Sequence, residues 1–148
     1  MNMALRELYQ DMIIDHNRHP RNHHILQPAT ATANGFNPLC GDKLTVYLNI
    51  EQDKIFDISF IGCGCAISQA SASMMTEVVK NKTVNDAQIL FKCFHKMLTT
   101  NIIDADLPEK LKVLSGVSAY PARVKCATLA WHTLDSALEK TTKTVSTE

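Results

Sequence analysis

The sequence predicts an α+β fold, a small antiparallel β-sheet of about three strands packed against several α-helices. Apolar residues recur at three- and four-residue steps near the start of the chain and again after residue 64, and two alternating segments joined by a short polar connection lie between these regions. Leu5, Leu8, Tyr9, Met12 and Ile13 mark an amphipathic helix that ends before Pro20-Arg21-Asn22 and covers something apolar. From Asn22 to Leu39, the prolines at 28 and 38, Gly35 and an Ala/Thr alternation over Ala29–Ala33 read as a loop with one short edge strand. Lys43–Ile50 then alternates, with Leu44, Val46, Leu48 and Ile50 on one face and Thr45, Tyr47 and Asn49 on the other. Lys54–Ile61 does the same, Ile55, Asp57 and Ser59 opposing Phe56, Ile58 and Phe60. Glu51-Gln52-Asp53 therefore joins an antiparallel hairpin.

After Gly62 and Gly64 the spacing turns helical through Ile67, Ala70, Ser71, Met74, Met75, Val78 and Val79 to Asn81, and its Ser/Ala run allows close helix packing. Thr83 and Asp86 give a cap and first turn for a helix through Ile89, Leu90, Phe94 and Leu98. Pro108 opens a shorter helix. Pro121 opens one that runs through Val124, Leu129, Trp131, Leu134 and Leu138 before a polar tail, residues 141–148, expected to fray.

No repeat or linker divides the chain, and its 148 residues, 45% hydrophobic and 20% charged, suit a single domain spanning 1–148. Fifteen Lys and Arg balance fifteen Asp and Glu, so no global field steers the protein to nucleic acid or anionic lipid, and neither is an expected partner. No stretch approaches the roughly 18 apolar residues of a membrane span. Arg6, Glu7, Asp11 and Asp15 interrupt any secretory h-region, which predicts a cytoplasmic protein whose five cysteines are reduced.

The cysteines are where chemistry is expected. In an extended segment Cys40 and Asp42 face the same side, and Gly41 between them frees the backbone to turn. Cys65 begins a helix, where free N–H groups and the dipole favour a thiolate. Cys126 lies early in the last helix, next to Arg123 and Lys125. Three thiolates and a carboxylate suit Zn²⁺ or an iron–sulfur cluster, and Lys43, Arg123 and Lys125 are cations to offset their charge. Spacing alone equally allows buried packing cysteines, because no compact C-x-x-C is present.

Asp15-His16 with Pro20-Arg21-Asn22, Asn37-Pro38-Leu39-Cys40-Gly41-Asp42, Gly64-Cys65-Ala66-Ile67-Ser68 with Ala70-Ser71-Ala72-Ser73-Met74-Met75, and Pro121-Ala122-Arg123-Val124-Lys125-Cys126-Ala127-Thr128-Leu129-Ala130-Trp131 resemble the SufU branch of the IscU/NifU N-terminal-domain family. The resemblance covers nearly the whole chain. It implies that Cys40, Asp42, Cys65 and Cys126 are the ligands of Zn²⁺, and that the protein accepts persulfide sulfur from a pyridoxal-phosphate cysteine desulfurase of the SufS kind. The sulfur would pass to a downstream SUF scaffold or to apo iron–sulfur proteins. In the IscU branch the equivalent residues assemble a [2Fe–2S] cluster, which is the alternative function, with the cluster or iron as occupant. Lys125 before Cys126, the long stretch between Cys65 and Cys126, and the absence of a Leu-Pro-Pro-Val-Lys segment favour the SufU branch. On this reading the protein works with the desulfurase rather than as a free-standing enzyme. Cys40 is the sulfur acceptor, and Arg123 guides the anionic persulfide or an acidic residue of the partner.

Cys63 departs from the family pattern and admits two readings, a tolerated loop residue or an alternative ligand and resolving thiol. Cys93 reads as helix packing. His16, His19, His23 and His24 read as helix-end and loop residues that need no metal, while His16 and Arg21 order the loop or meet the partner.

Overall fold

In the computed structural model, residues 3–139 and 145–146 are described. Helix α1 (Met3–Arg18) precedes strands β1 (Ala31–Asn37), β2 (Asp42–Glu51) and β3 (Lys54–Cys63). Helices α2 (Ala66–Val79), α3 (Val84–Thr100) and α4 (Glu109–Lys112), a 3₁₀ turn (Ser115–Ala119) and α5 (Pro121–Leu138) follow, then β4 (Val145–Ser146). The sheet runs β3-β2-β1-β4, with β1–β2 and β2–β3 antiparallel and β1–β4 parallel. This is the α+β arrangement the sequence predicts. Of the tail expected to fray, residues 141–144 and 147–148 lie outside the described residues, while Val145–Ser146 pairs with Gly35 and Phe36.

The hairpin turns on Gln52 and Asp53, both at positive φ (52° and 61°), the two-residue geometry whose twist matches the flanking strands. The alternation of β3 differs from the expected one. The register slips between Asn49, opposite Asp57, and Ile50, opposite Ile55, which leaves Phe56 as an extra residue and shifts the phase. Ile55 therefore joins Ile58 and Phe60 in the core, and Phe56 is 43% exposed. The segment read as a loop with a short edge strand holds the seven-residue β1, inside the sheet between β2 and β4.

Helices α2 and α5 pack on one another and on the sheet. The Ser/Ala face of α2 allows this approach: Ser71 Oγ donates to the Ala127 carbonyl at 2.6 Å. Trp131 anchors α5 against α3, stacked on Phe94 with ring centroids 4.9 Å apart. The free edge of β3 is covered at both ends. The Phe60 N–H donates to the Asn22 carbonyl at 3.0 Å, and Ile55 exchanges bonds with Asn81 and Lys82 at 2.7 and 2.8 Å.

α1 covers less apolar surface than its spacing implies. Tyr9, Met12 and Ile13 are half-buried, Leu8 is 53% exposed, and the helix's one buried residue is His16. His16 Nδ1 pairs with Ser73 Oγ at 2.7 Å and Nε2 faces Glu77 at 3.5 Å. Burial, and next the Arg21 charge, hold this imidazole below its ordinary pKa, with Lys110 acting in the same direction and Glu77 and Asp15 opposing. The unfolded chain therefore protonates first as pH falls. The stability tied to neutral His16 is fully present above about pH 6.5 and is lost as pH drops through the lower folded value. His132, lowered by burial and by His95, acts with the same sign. We expect Tm to fall between about pH 7.5 and about pH 5.5, and His16→Gln to flatten part of that fall. Identical slopes in thermal melts of both proteins would show that His16 is not one of the titrating groups.

Candidate metal centre

The sheet end next to the N-termini of α2 and α5 gathers the chemistry-bearing residues. Asn37 ends β1 directly opposite Asp42, which begins β2, and the Gly41 N–H donates to the Asn37 carbonyl at 2.8 Å to close the connection. Gly41 sits at φ +73°, a conformation that a side chain disfavours, with open space where a Cβ would be. Cys40 and Asp42 thus converge through a left-handed turn and not along an extended strand.

Asp42 is fully buried. Its Oδ2 accepts from Asn37 Nδ2 at 3.1 Å and its Oδ1 from the Cys65 N–H at 2.9 Å. A Cβ on Gly64 would lie 2.5 Å from that Oδ1, so only glycine lets the chain pass this close to the carboxylate. Cys65 caps α2, its Sγ accepting from the Ser68 N–H at 3.5 Å. Cys126 is fully buried. Its Sγ lies 3.1 Å from Cys40 Sγ, well beyond the roughly 2.05 Å of a disulfide, and all five cysteines are free. Burial first, and then hydrogen bonding with Cys40, Asp42 and Cys65, push the Cys126 thiol far above its ordinary pKa.

Ligand-type atoms of Cys40, Asp42 and Cys126 fall within 4.8 Å of one another, the one such group of three among the described residues. The Cys65 thiol, the fourth residue expected there, falls outside this group, though it is near enough to Cys126 to help raise its pKa. Of the three cations expected nearby, Arg123 is in place, Nη1 3.9 Å from Cys40 Sγ, its pKa raised by a hydrogen bond with Cys126 and then by the charges of Cys65, Cys126 and Cys40. Lys43 is on the other face of the sheet, with Nζ 5.5 Å from the Phe36 ring centroid. A groove of about 930 Å³, walled by Tyr9, Ile13, Ile67, Ile103 and Tyr120, reaches the centre at Arg123.

Cys63 is exposed and pairs with Lys43 across β2–β3, so it shares the outer face and turns away from Asp42. Cys93 is half-buried on α3, its thiol donating to Asp104 at 3.4 Å. The N-terminal histidines do not converge: His16 is engaged with Ser73, and His23 packs edge-on to Phe60. Sequence reasoning assigned no role to Asn37, which is fully buried and bonded to the Asp42 carboxylate and the Cys126 sulfur together. Its signal in the sequence was its place at the head of the Asn37-Pro38-Leu39-Cys40-Gly41-Asp42 block, immediately before the turn.

The NifU-like N-terminal domain family model matches residues 8–146. The chain is 39% identical to the zinc-dependent sulfurtransferase SufU of Bacillus subtilis, over 94% of this chain and 95% of that protein. It is 37% identical to the iron–sulfur cluster assembly scaffold protein IscU of Thermotoga maritima, over 93% and 97% of the two. A crystal structure named as a SUF-system iron–sulfur cluster assembly scaffold protein, from Fervidobacterium islandicum AW-1, superposes with a TM-score of 0.84 at 35% identity, covering 90% of this chain and 98% of that one. With a family model spanning nearly the whole chain and relatives of this identity along almost all of its length, the protein belongs to the NifU-like N-terminal domain family.

Proposed function

We propose that the protein accepts persulfide sulfur from a pyridoxal-phosphate cysteine desulfurase at a zinc site formed by Cys40, Asp42, Cys65 and Cys126, within SUF-type iron–sulfur cluster assembly. The observation that carries this reading is the asymmetry of the cluster. Asp42 and Cys126 are fully buried and the half-buried Cys65 is held at the N-terminus of α2, whereas the equally half-buried Cys40 lies in the connecting turn beside Arg123. The donor set fits the metal: thiols with one carboxylate suit zinc as they suit an iron–sulfur cluster, and the hydrogen-bond donors to Asp42 are both neutral, so its charge is available to a cation. The named activity of the Bacillus relative supports the same assignment.

When bound, zinc supplies the positive charge that keeps the surrounding sulfurs as thiolates at neutral pH. The Cys40 thiolate attacks the outer sulfur of the desulfurase cysteine persulfide. One S–S bond forms as the other breaks, the desulfurase cysteine leaves as a thiolate, and no external oxidant is consumed. Arg123 lies where an anionic persulfide would approach Cys40, and its guanidinium orients that charge. Asp42, Cys65 and Cys126 keep the centre assembled while the Cys40 side chain is engaged.

Metal analysis and a visible spectrum of anaerobically purified protein test the proposal together with a desulfurase assay. Colourless protein with bound zinc, and a persulfide on Cys40 that depends on the desulfurase, are expected. A brown chromophore with iron and sulfide would replace this reading with that of a [2Fe–2S] scaffold. Strong chelation should also lower Tm, because an ion held only by the folded state adds about 4 kcal/mol at a free concentration about a thousandfold over Kd. An unchanged melt after verified metal removal would refute a supporting role for zinc in the fold.

A further inference from the structure

Asn37 is fully buried and each of its polar groups is engaged. Its Oδ1 accepts from the Leu39 N–H at 3.3 Å, and its backbone carbonyl accepts from Gly41. Because Oδ1 takes an N–H, the amide nitrogen must be the group facing the centre, where it donates to Asp42 Oδ2 at 3.1 Å and reaches Cys126 Sγ at 3.5 Å. One side chain at the end of β1 thus bridges a ligand-type residue on β2 and another on α5, and its own rotamer is fixed by the turn that carries Cys40.

The remaining donors are anchored differently. Cys65 Sγ is held by the Ser68 N–H and its backbone by Asp42, whereas Cys40 Sγ has the Cys126 thiol and the distant Arg123 guanidinium as its recorded partners. N–H donors stabilise a thiolate or carboxylate in place and raise the cost of moving it. Three of the four donors therefore have a rigid amide on them, and Cys40 has none.

We infer that Asn37 is a positioning residue that pins Asp42 and Cys126 together and so makes Cys40 the one donor free to leave the metal. This rests on the zinc site proposed above. It adds a selection rule: the order in which ligands exchange is set by hydrogen bonds outside the ligand set, with Asn37 serving two of them.

The test uses the zinc-loaded full chain without desulfurase. Zinc affinity is read by competition with a chromophoric chelator, ligand geometry by the absorption of the cobalt-substituted protein, and exchange order by brief iodoacetamide labelling with peptide mapping. In the wild type, Cys40 should label first and Cys126 stay protected. Asn37→Ala should weaken zinc binding about 10–100-fold, shift the cobalt spectrum and bring Cys126 labelling up towards that of Cys40. Asn37→Ser covers the case in which the alanine variant fails to fold. Its hydroxyl is one bond shorter with a single donor, so it can serve Asp42 or Cys126 but not both, and an intermediate loss is expected. Unchanged affinity and labelling order in a folded variant would overturn the inference, as would a wild-type chain that binds no zinc. A wild type that binds zinc and labels first at Cys40 but accepts no sulfur would instead remove the proposed function and leave the role of Asn37 standing.

Discussion

Cys40→Ala is expected to abolish desulfurase-dependent sulfur acceptance while the fold persists. The substituted side chain lies in the turn between β1 and β2 and is half-buried, so its loss leaves no large core cavity. What disappears is the nucleophile, and without it transfer should fall on the order of a thousandfold or more, to background. Asp42, Cys65 and Cys126 remain to hold metal, so zinc content should fall much less than transfer. Cys93→Ala and Cys63→Ser are the controls: one thiol is tied to Asp104 on α3, and the other is on the outer face beside Lys43. Both should retain most of the activity. Equal loss in Cys93→Ala, with both proteins folded by circular dichroism, would mean that Cys40 is not the acceptor.

Trp131→Ala should be the most damaging single core truncation. The indole is fully buried, stacked at 4.9 Å on Phe94 and at 6.4 Å on Phe91, and it binds α5 to α3. Truncating a buried Trp costs about 3–5 kcal/mol through lost contacts and a residual cavity. At about 2–4 °C per kcal/mol that is a Tm lower by about 6–20 °C. Because α5 also carries Arg123 and Cys126, zinc affinity should fall with it. Trp131→Phe is the informative companion. Trp131 Nε1 finds no acceptor among the described residues, so phenylalanine keeps a stacked ring and removes a buried, unpaired N–H. Its cost should be clearly smaller than that of the alanine variant, because the stacked ring is kept and a smaller cavity is left. Urea denaturation of the three proteins decides the matter: a phenylalanine variant as unstable as the alanine one would show that a single stacked ring does not hold α5 and that the whole indole is required.

The helices and the hairpin were legible because their signals are local. Apolar spacing marked α2, α3 and α5, and Thr83 caps α3 through the Asp86 N–H as its sequence suggests. β1 was under-read because Ala31–Asn37, with its Ala, Asn and Gly, has little intrinsic strand preference. Its pairing with β2 along all seven residues imposes the conformation. The phase of β3 depended on a register slip that alternation cannot encode. At the centre, residue type singled out Cys40, Asp42, Cys65 and Cys126 as metal-ligand candidates, of which Cys40, Asp42 and Cys126 converge within 4.8 Å, but which way each cysteine faces is a property of register. Pairing with Lys43 turns Cys63 outward, and pairing with Asp42 brings Asn37 inward. An asparagine before a proline looks in sequence like a turn former and nothing more.

The covered edge of β3 bears on how this protein behaves at high concentration. A strand that ends a sheet usually offers a row of free N–H and carbonyl groups on which another chain can build, the first step towards fibrils and precipitates. Here two of those positions are already taken by the protein's own loops, Phe60 by Asn22 and Ile55 by Asn81 and Lys82. Clipping the loop after α1, or loosening the turn after α2, would uncover that row next to the bulged and exposed Phe56. Self-association into β-rich aggregates is therefore expected to track damage at Asn22 and at Asn81–Lys82, segments that lie outside the metal centre.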